Sequence, residues 1–95
     1  MIVTTAEATV EEAREADLLA AWAHITSGSF PEGLVESSLT HAEGRVWRVH
    51  TVWESREALA SMRASTDTPA ALAMFEAAGA VPAVTVWDVV RYVRP

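Results

Sequence analysis

The chain predicts an α+β domain of the ferredoxin-like type, β-α-β-β-α-β on one antiparallel sheet, and three observations carry that prediction. Runs rich in β-branched and aromatic residues recur around residues 1–7, 34–41, 46–53 and 81–93, with helix-period segments after the first and the third. Only Ala42-Glu43-Gly44-Arg45 separates the second run from the third, a tight turn that makes the two an antiparallel hairpin. The resulting order of elements is the split β-α-β arrangement. Ninety-five residues form one domain, 1–95, of a size that buries roughly 60–70 % of the surface its unfolded chain exposes.

Each element has its own local reason. Ile2, Val3, Thr4 and Thr5 make the first strand. Thr9 followed three residues later by Glu12 is a capping-box pair, which places the start of the first helix at Val10. Val10, Ala13, Leu18, Ala21, Trp22 and Ile25 recur at helical spacing and form its apolar face, and the helix ends near Ser27, before Gly28. Residues 27–33, Ser-Gly-Ser-Phe-Pro-Glu-Gly, are a connecting loop. Ser55 supplies an N-cap oxygen directly after Trp53, so the third strand runs straight into the second helix, with Leu59 and Met62 on its buried side. That helix falters at 65–67. Thr68 as N-cap with Pro69 at N1 restarts it, and Gly79 closes it. The valines of 81–93 are read as one long final strand.

Composition narrows the function. Thirteen acids against seven arginines and no lysine give a net charge of −6, and the arginines are scattered. A phosphate-binding face needs clustered positive charge, so nucleic acid and anionic membranes are excluded as partners. The absence of cysteine removes disulfides, thiolate nucleophiles and Cys-ligated zinc. Asn and Gln are absent too, which removes side-chain carboxamides as substrate-orienting groups. The first ten residues lack the basic-then-apolar pattern of a signal peptide, and no window reaches membrane-spanning length, so a cytoplasmic protein is expected.

The sheet asks for a second layer. In the third strand Trp47, Val49, Thr51 and Trp53 share one face, and Val46, Arg48, His50 and Val52 the other; the last strand likewise places Val84 and Val86 opposite Thr85 and Trp87. Helices in this topology cover one face only. The other face carries Trp and Val, and a second copy of the chain is the simplest cover, so a homodimer is expected.

The segment Val46–Ser65, VWRVHTVWESREALASMRAS, with Trp53 to Leu59 at its centre, resembles the antibiotic biosynthesis monooxygenase-like family of dimeric α/β-barrel proteins. The preceding PEGLVESSLTHAEG and the later FEAAG extend the resemblance over nearly the whole chain. It implies a dimeric α/β barrel and, among the family's activities, cofactor-independent oxidation of aromatic phenols to quinones or degradation of haem. Haem-degrading relatives use an Asn on the first strand, a Trp late in the second helix and a His in the next helical piece. Here the Trp position falls at Met62, PAALAMFEAAG holds no His, and Asn is absent. Haem degradation is therefore not expected. Quinone-forming relatives also place an Asn in the pocket, and this chain departs from them there.

The candidate chemistry lies around that segment. No spacing of His24, His41 and His50 fits a metal site, so no metal and no cofactor are expected. His50, mid-strand among Val and Trp, is either a structural histidine or a general base working near neutral pH. Arg63 is either a solvated helix residue or a clamp for a phenolate or peroxide anion. Trp22, Trp53, Met62, Phe75 and Trp87 are either core residues or the walls of a pocket for a planar aromatic ligand. No paired carboxylates, phosphate loop or nucleophile elbow is present. The expectation is a cofactor-free monooxygenase-like enzyme acting on a small planar phenol, with His50 as base and Arg63 as clamp. The alternative is a non-catalytic homodimer that binds a small hydrophobic molecule or serves as an accessory module.

Overall fold

The computed structural model describes residues 1–95 as a four-stranded antiparallel sheet with helices on one face. The strands are β1 (Ile2–Thr9), β2 (Leu34–His41), β3 (Val46–Trp53) and β4 (Ala83–Asp88), in spatial order β2-β3-β1-β4. The helices are α1 (Glu15–Thr26), α2 (Arg56–Ala64) and α3 (Ala70–Ala77). This is the ferredoxin-like α+β arrangement that the order of elements predicted. No helix is long and apolar enough to cross a membrane.

The element boundaries differ from the sequence expectation where tertiary pairing overrides local propensity. Central β1 pairs with β3 along its whole length, to Thr9 opposite Val46, and the Val10 amide then donates to the Arg45 carbonyl at 2.8 Å. That bond holds Val10 in the sheet, so the capping box is not used. A short 3-10 turn at Glu12–Arg14 intervenes, and α1 starts at Glu15 without a side-chain cap. β4 is shorter than the valine run because β1 is used up: Ile2 pairs with Asp88, and only the Val89 amide reaches the Met1 carbonyl beyond it. Pro69, not Thr68, flanks α3, and no side chain caps that end.

Two signals act as read. The Ser55 hydroxyl accepts from the Ala58 amide at 3.1 Å and caps α2. Gly79 sits at φ +71° and ends α3 in a Schellman motif, with its amide donating to Glu76 and that of Ala80 to Phe75, both at 2.9 Å.

Helix-side residues of the sheet meet two apolar clusters. The larger gathers Val10, Leu18, Val49, Met74 and Phe75 beneath α1 and α3; the smaller is Ile2, Trp53 and Leu59 under α2. The space between them is open, and it is the site described next. The reverse face has no helix. Val3, Thr5, Glu7, Arg48, His50, Thr85 and Trp87 border a shallow depression there, with an Arg48–Glu7 ion pair at 2.6 Å and the Trp87 indole donating to Thr5 at 3.0 Å.

Candidate functional site

A cavity of about 650 Å³ lies between the helix side of the sheet and the three helices, within the range of small-molecule sites. Its floor is Thr4 of β1, Ser37 of β2 and Val49, Thr51 and Trp53 of β3. Trp22 and Ile25 of α1, Leu59 and Met62 of α2, and Met74 of α3 close over it. Phe30 and Pro31 of the loop before β2, and Thr66, Thr68 and Pro69 of the segment before α3, complete the lining. Phe30 is 57 % exposed, so its ring borders both the cavity and solvent.

The floor is apolar with a line of hydroxyls. Ser37 Oγ and Thr51 Oγ1 are 2.9 Å apart, and Thr4 Oγ1 accepts the Trp53 indole N–H at 3.2 Å. Each pairing leaves hydrogen-bonding capacity unspent: one hydroxyl proton of the Ser37–Thr51 pair, and the Thr4 proton. Three other lining hydroxyls are committed to the backbone, Thr26 donating to the Trp22 carbonyl, Ser65 to the Met62 carbonyl and Thr66 to the Thr68 carbonyl.

A bulge in β2 builds this floor. Leu34 pairs with Trp53 and Glu36 with Val52, so Val35 is an extra residue. The insertion flips the alternation and brings both Leu34 and Ser37 to the helix side. Nothing in the residues around Val35 marks the bulge, and strict alternation from Leu34 puts Ser37 on the reverse face. Ser37, Thr4 and Thr51 are therefore functional candidates that sequence reasoning missed. Thr51 carried a signal, sharing a strand face with Trp53.

Arg63 is the one charged side chain lining the cavity. It is solvent-exposed and makes no ion pair or side-chain hydrogen bond; Arg14, Arg48 and Arg56 pair with Asp17, Glu7 and Asp88, and Arg91 and Arg94 donate to the Val90 carbonyl and the Tyr92 hydroxyl. A cation without a partner at the edge of an apolar space suits an anionic oxygen.

Four of the seven residues singled out from the sequence converge here: Trp22, Trp53, Met62 and Arg63. The other three do not. His50 is one residue out of phase with Thr51 and so faces the reverse side, where it borders the depression beside Arg48. Trp87 shares that face, because it pairs with Val3 rather than with a helix-side residue of β1. Phe75 is fully buried in the larger cluster next to Val10 and Leu18, while its neighbour Met74 turns to the cavity. No group of three or more His, Asp or Glu side chains has metal-binding geometry.

Residues 1–77 match the family model described as antibiotic biosynthesis monooxygenase. Among solved structures, an antibiotic biosynthesis monooxygenase structure from Deinococcus radiodurans superposes with TM-score 0.80 at 11 % identity, covering 100 % of this chain and 98 % of that one. SnoaB, a cofactor-independent oxygenase from Streptomyces nogalater, does so with TM-score 0.73 at 15 % identity, covering 99 % and 97 %. A variant of MhuD with two manganese protoporphyrin IX molecules per active site gives TM-score 0.68 at 22 % identity, covering 100 % of both chains. At these identities the likeness is one of fold. No curated protein sequence matches.

Proposed function

The chain belongs to the antibiotic biosynthesis monooxygenase family, and from that premise we propose that it is a cofactor-independent oxygenase converting small planar phenols to quinones. The observation that carries this reading is the cavity itself: Trp22 and Trp53 in its walls, hydroxyls along its floor and an unpartnered guanidinium at its edge. Flat aromatic substrates bury well between apolar walls, and the developing anion is held by Arg63 and the floor hydroxyls.

Such a reaction balances without an outside reductant. A phenolate attacks O2 through its para carbon, forming a C–O bond and a peroxide anion. The para C–H proton passes to the outer oxygen as the O–O bond breaks, leaving a quinone and hydroxide. Hydroxide takes up the proton released when the phenol ionised, so one oxygen atom enters the product and the other leaves as water. The protein orients the ring, stabilises the anion and keeps the peroxide dry.

Haem is a poor fit, since no histidine lines the cavity to serve as an axial ligand. The proposed working form is a homodimer joined through the reverse face. Support comes from Trp87, 53 % exposed there, and from Val90 and Val93, 73 % and 80 % exposed after β4.

A second reading is a non-catalytic binder of small hydrophobic molecules. The observation favouring it is that no carboxylate, imidazole or phenol lines the cavity to serve as a base. Oxygen uptake with 1,8-dihydroxyanthrone, corrected for its spontaneous oxidation, separates the two. Uptake that scales with protein concentration supports the oxygenase; tight binding with no added uptake supports the binder.

A further inference from the structure

We propose that Met62 is a reversible oxidation site: peroxide converts its thioether to a sulfoxide, which weakens the binding of planar apolar ligands in the cavity until a reductase restores the sulfur. The inference rests on the function proposed above only for the choice of a planar aromatic as the ligand affected.

The chain holds no cysteine and three methionines, so all of its oxidisable sulfur sits at Met1, Met62 and Met74. Two of the three, Met62 and Met74, line the same cavity, and they differ in access. Met74 is 2 % exposed and belongs to the larger buried cluster. Met62 is half-buried and packs against the smaller cluster of Ile2, Trp53 and Leu59. Susceptibility to peroxide follows exposure, so the Met62 sulfur is the one that reacts. Its lone pair attacks one peroxide oxygen, an S–O bond forms as the O–O bond breaks, and the other oxygen leaves as water. Sulfur gives up two electrons and hydrogen peroxide takes them, with no other reductant.

Oxidation turns a flexible apolar side chain into a polar one. Trp22, Ile25, Trp53 and Leu59 share the wall with it, and the Trp53 indole proton is already given to Thr4. The new oxygen therefore draws water for its hydrogen bonds, into space that a flat ring would fill. The backbone there is held, because the Met62 carbonyl accepts from the Ser65 amide at 3.1 Å and from its hydroxyl at 2.8 Å. Accommodation thus falls to the side chain and the cavity. An oxygenase built on this cavity switches itself off whenever its peroxide escapes, and peroxide from solution has the same effect on a simple binder.

The test treats full-length wild type and M62L with hydrogen peroxide and follows the gain of one oxygen at each methionine by peptide mass spectrometry. Met1, 49 % exposed, is the internal reference. Met62 is expected to oxidise within about threefold of the rate of Met1, and Met74 about tenfold more slowly than Met62. Binding of 1,8-dihydroxyanthraquinone, a planar probe stable to peroxide, is read by quenching of tryptophan fluorescence. Its affinity is expected to fall about tenfold in the oxidised wild type, with the far-ultraviolet circular dichroism unchanged. It is expected to return after treatment with the two methionine sulfoxide reductases, one for each epimer, and treated M62L is expected to keep its own starting affinity. Met62 left unoxidised, an equal loss in treated M62L, a loss that comes with collapse of the fold, or no return with the reductases overturns the inference. An affinity that survives oxidation of Met62 overturns the inference alone, whereas a wild type that never binds the quinone overturns it together with the aromatic-ligand reading.

Discussion

Arg63 and His50 lie on opposite faces of one sheet, Arg63 at the edge of the helix-side cavity and His50 half-buried above the reverse depression. A ligand in the cavity meets the first and is shielded from the second by the strands. His50→Ala is therefore expected to change affinity for a phenolic ligand by no more than about twofold, the range of substitutions away from a site. Arg63→Gln is expected to weaken binding of an anionic phenol about tenfold. Titration by ligand fluorescence checks both.

Thr51 is the one buried polar residue of the chain, 7 % exposed, and its hydroxyl is matched only by Ser37. Thr51→Val keeps the shape and strands the Ser37 hydroxyl. The expected loss is about 1 kcal/mol of stability, read by urea unfolding, together with weaker ligand binding. Retained stability and affinity would remove the pair from the account of the floor.

The Ser55 cap sets the angle at which α2 leaves β3, and α2 carries Leu59, Met62 and Arg63 to the cavity. Ser55→Ala is expected to cost about 1 kcal/mol, lowering Tm by about 4–8 °C. Ser55→Asp, which also accepts from the Ala58 amide, is expected to restore most of it in the same thermal scan.

The reverse face gives a prediction on assembly. Trp87→Glu places a charge where the second copy is proposed to pack, without touching the helix-side cavity. Sedimentation at low micromolar concentration is expected to show the wild type at twice its 10.3 kDa chain mass and the variant at the chain mass itself. A monomeric wild type would contradict the dimer.

Much of this architecture is legible in the residues because local and tertiary signals agree there. The β-branched run of β3, the Ser55 cap and the Gly79 stop each act in the structure as their chemistry predicts. Boundaries fail where pairing decides. Val10 stays with the hairpin through the Arg45 carbonyl, and β4 ends when β1 has no further partner for it. The site was half legible for the same kind of reason. Helix period and bulk placed Trp22 and Met62 against the sheet, and strand alternation placed Trp53, but alternation also separates His50 from Thr51. Only the unmarked bulge at Val35 brings Ser37 beside Thr51, so the hydroxyl floor could not be assembled from the sequence.

Oxidation of a planar phenol in this cavity by O2, with no bound helper, leaves an isotopic signature in the product. The measurement is mass spectrometry of the quinone formed from 1,8-dihydroxyanthrone under 18O2, using protein treated with chelator and supplied with no flavin, haem or reductant. The expected product carries one labelled oxygen, the other label appearing in water, and forms at a rate proportional to protein. A product whose new oxygen comes from water, or a rate no greater than that of the substrate alone, would contradict it.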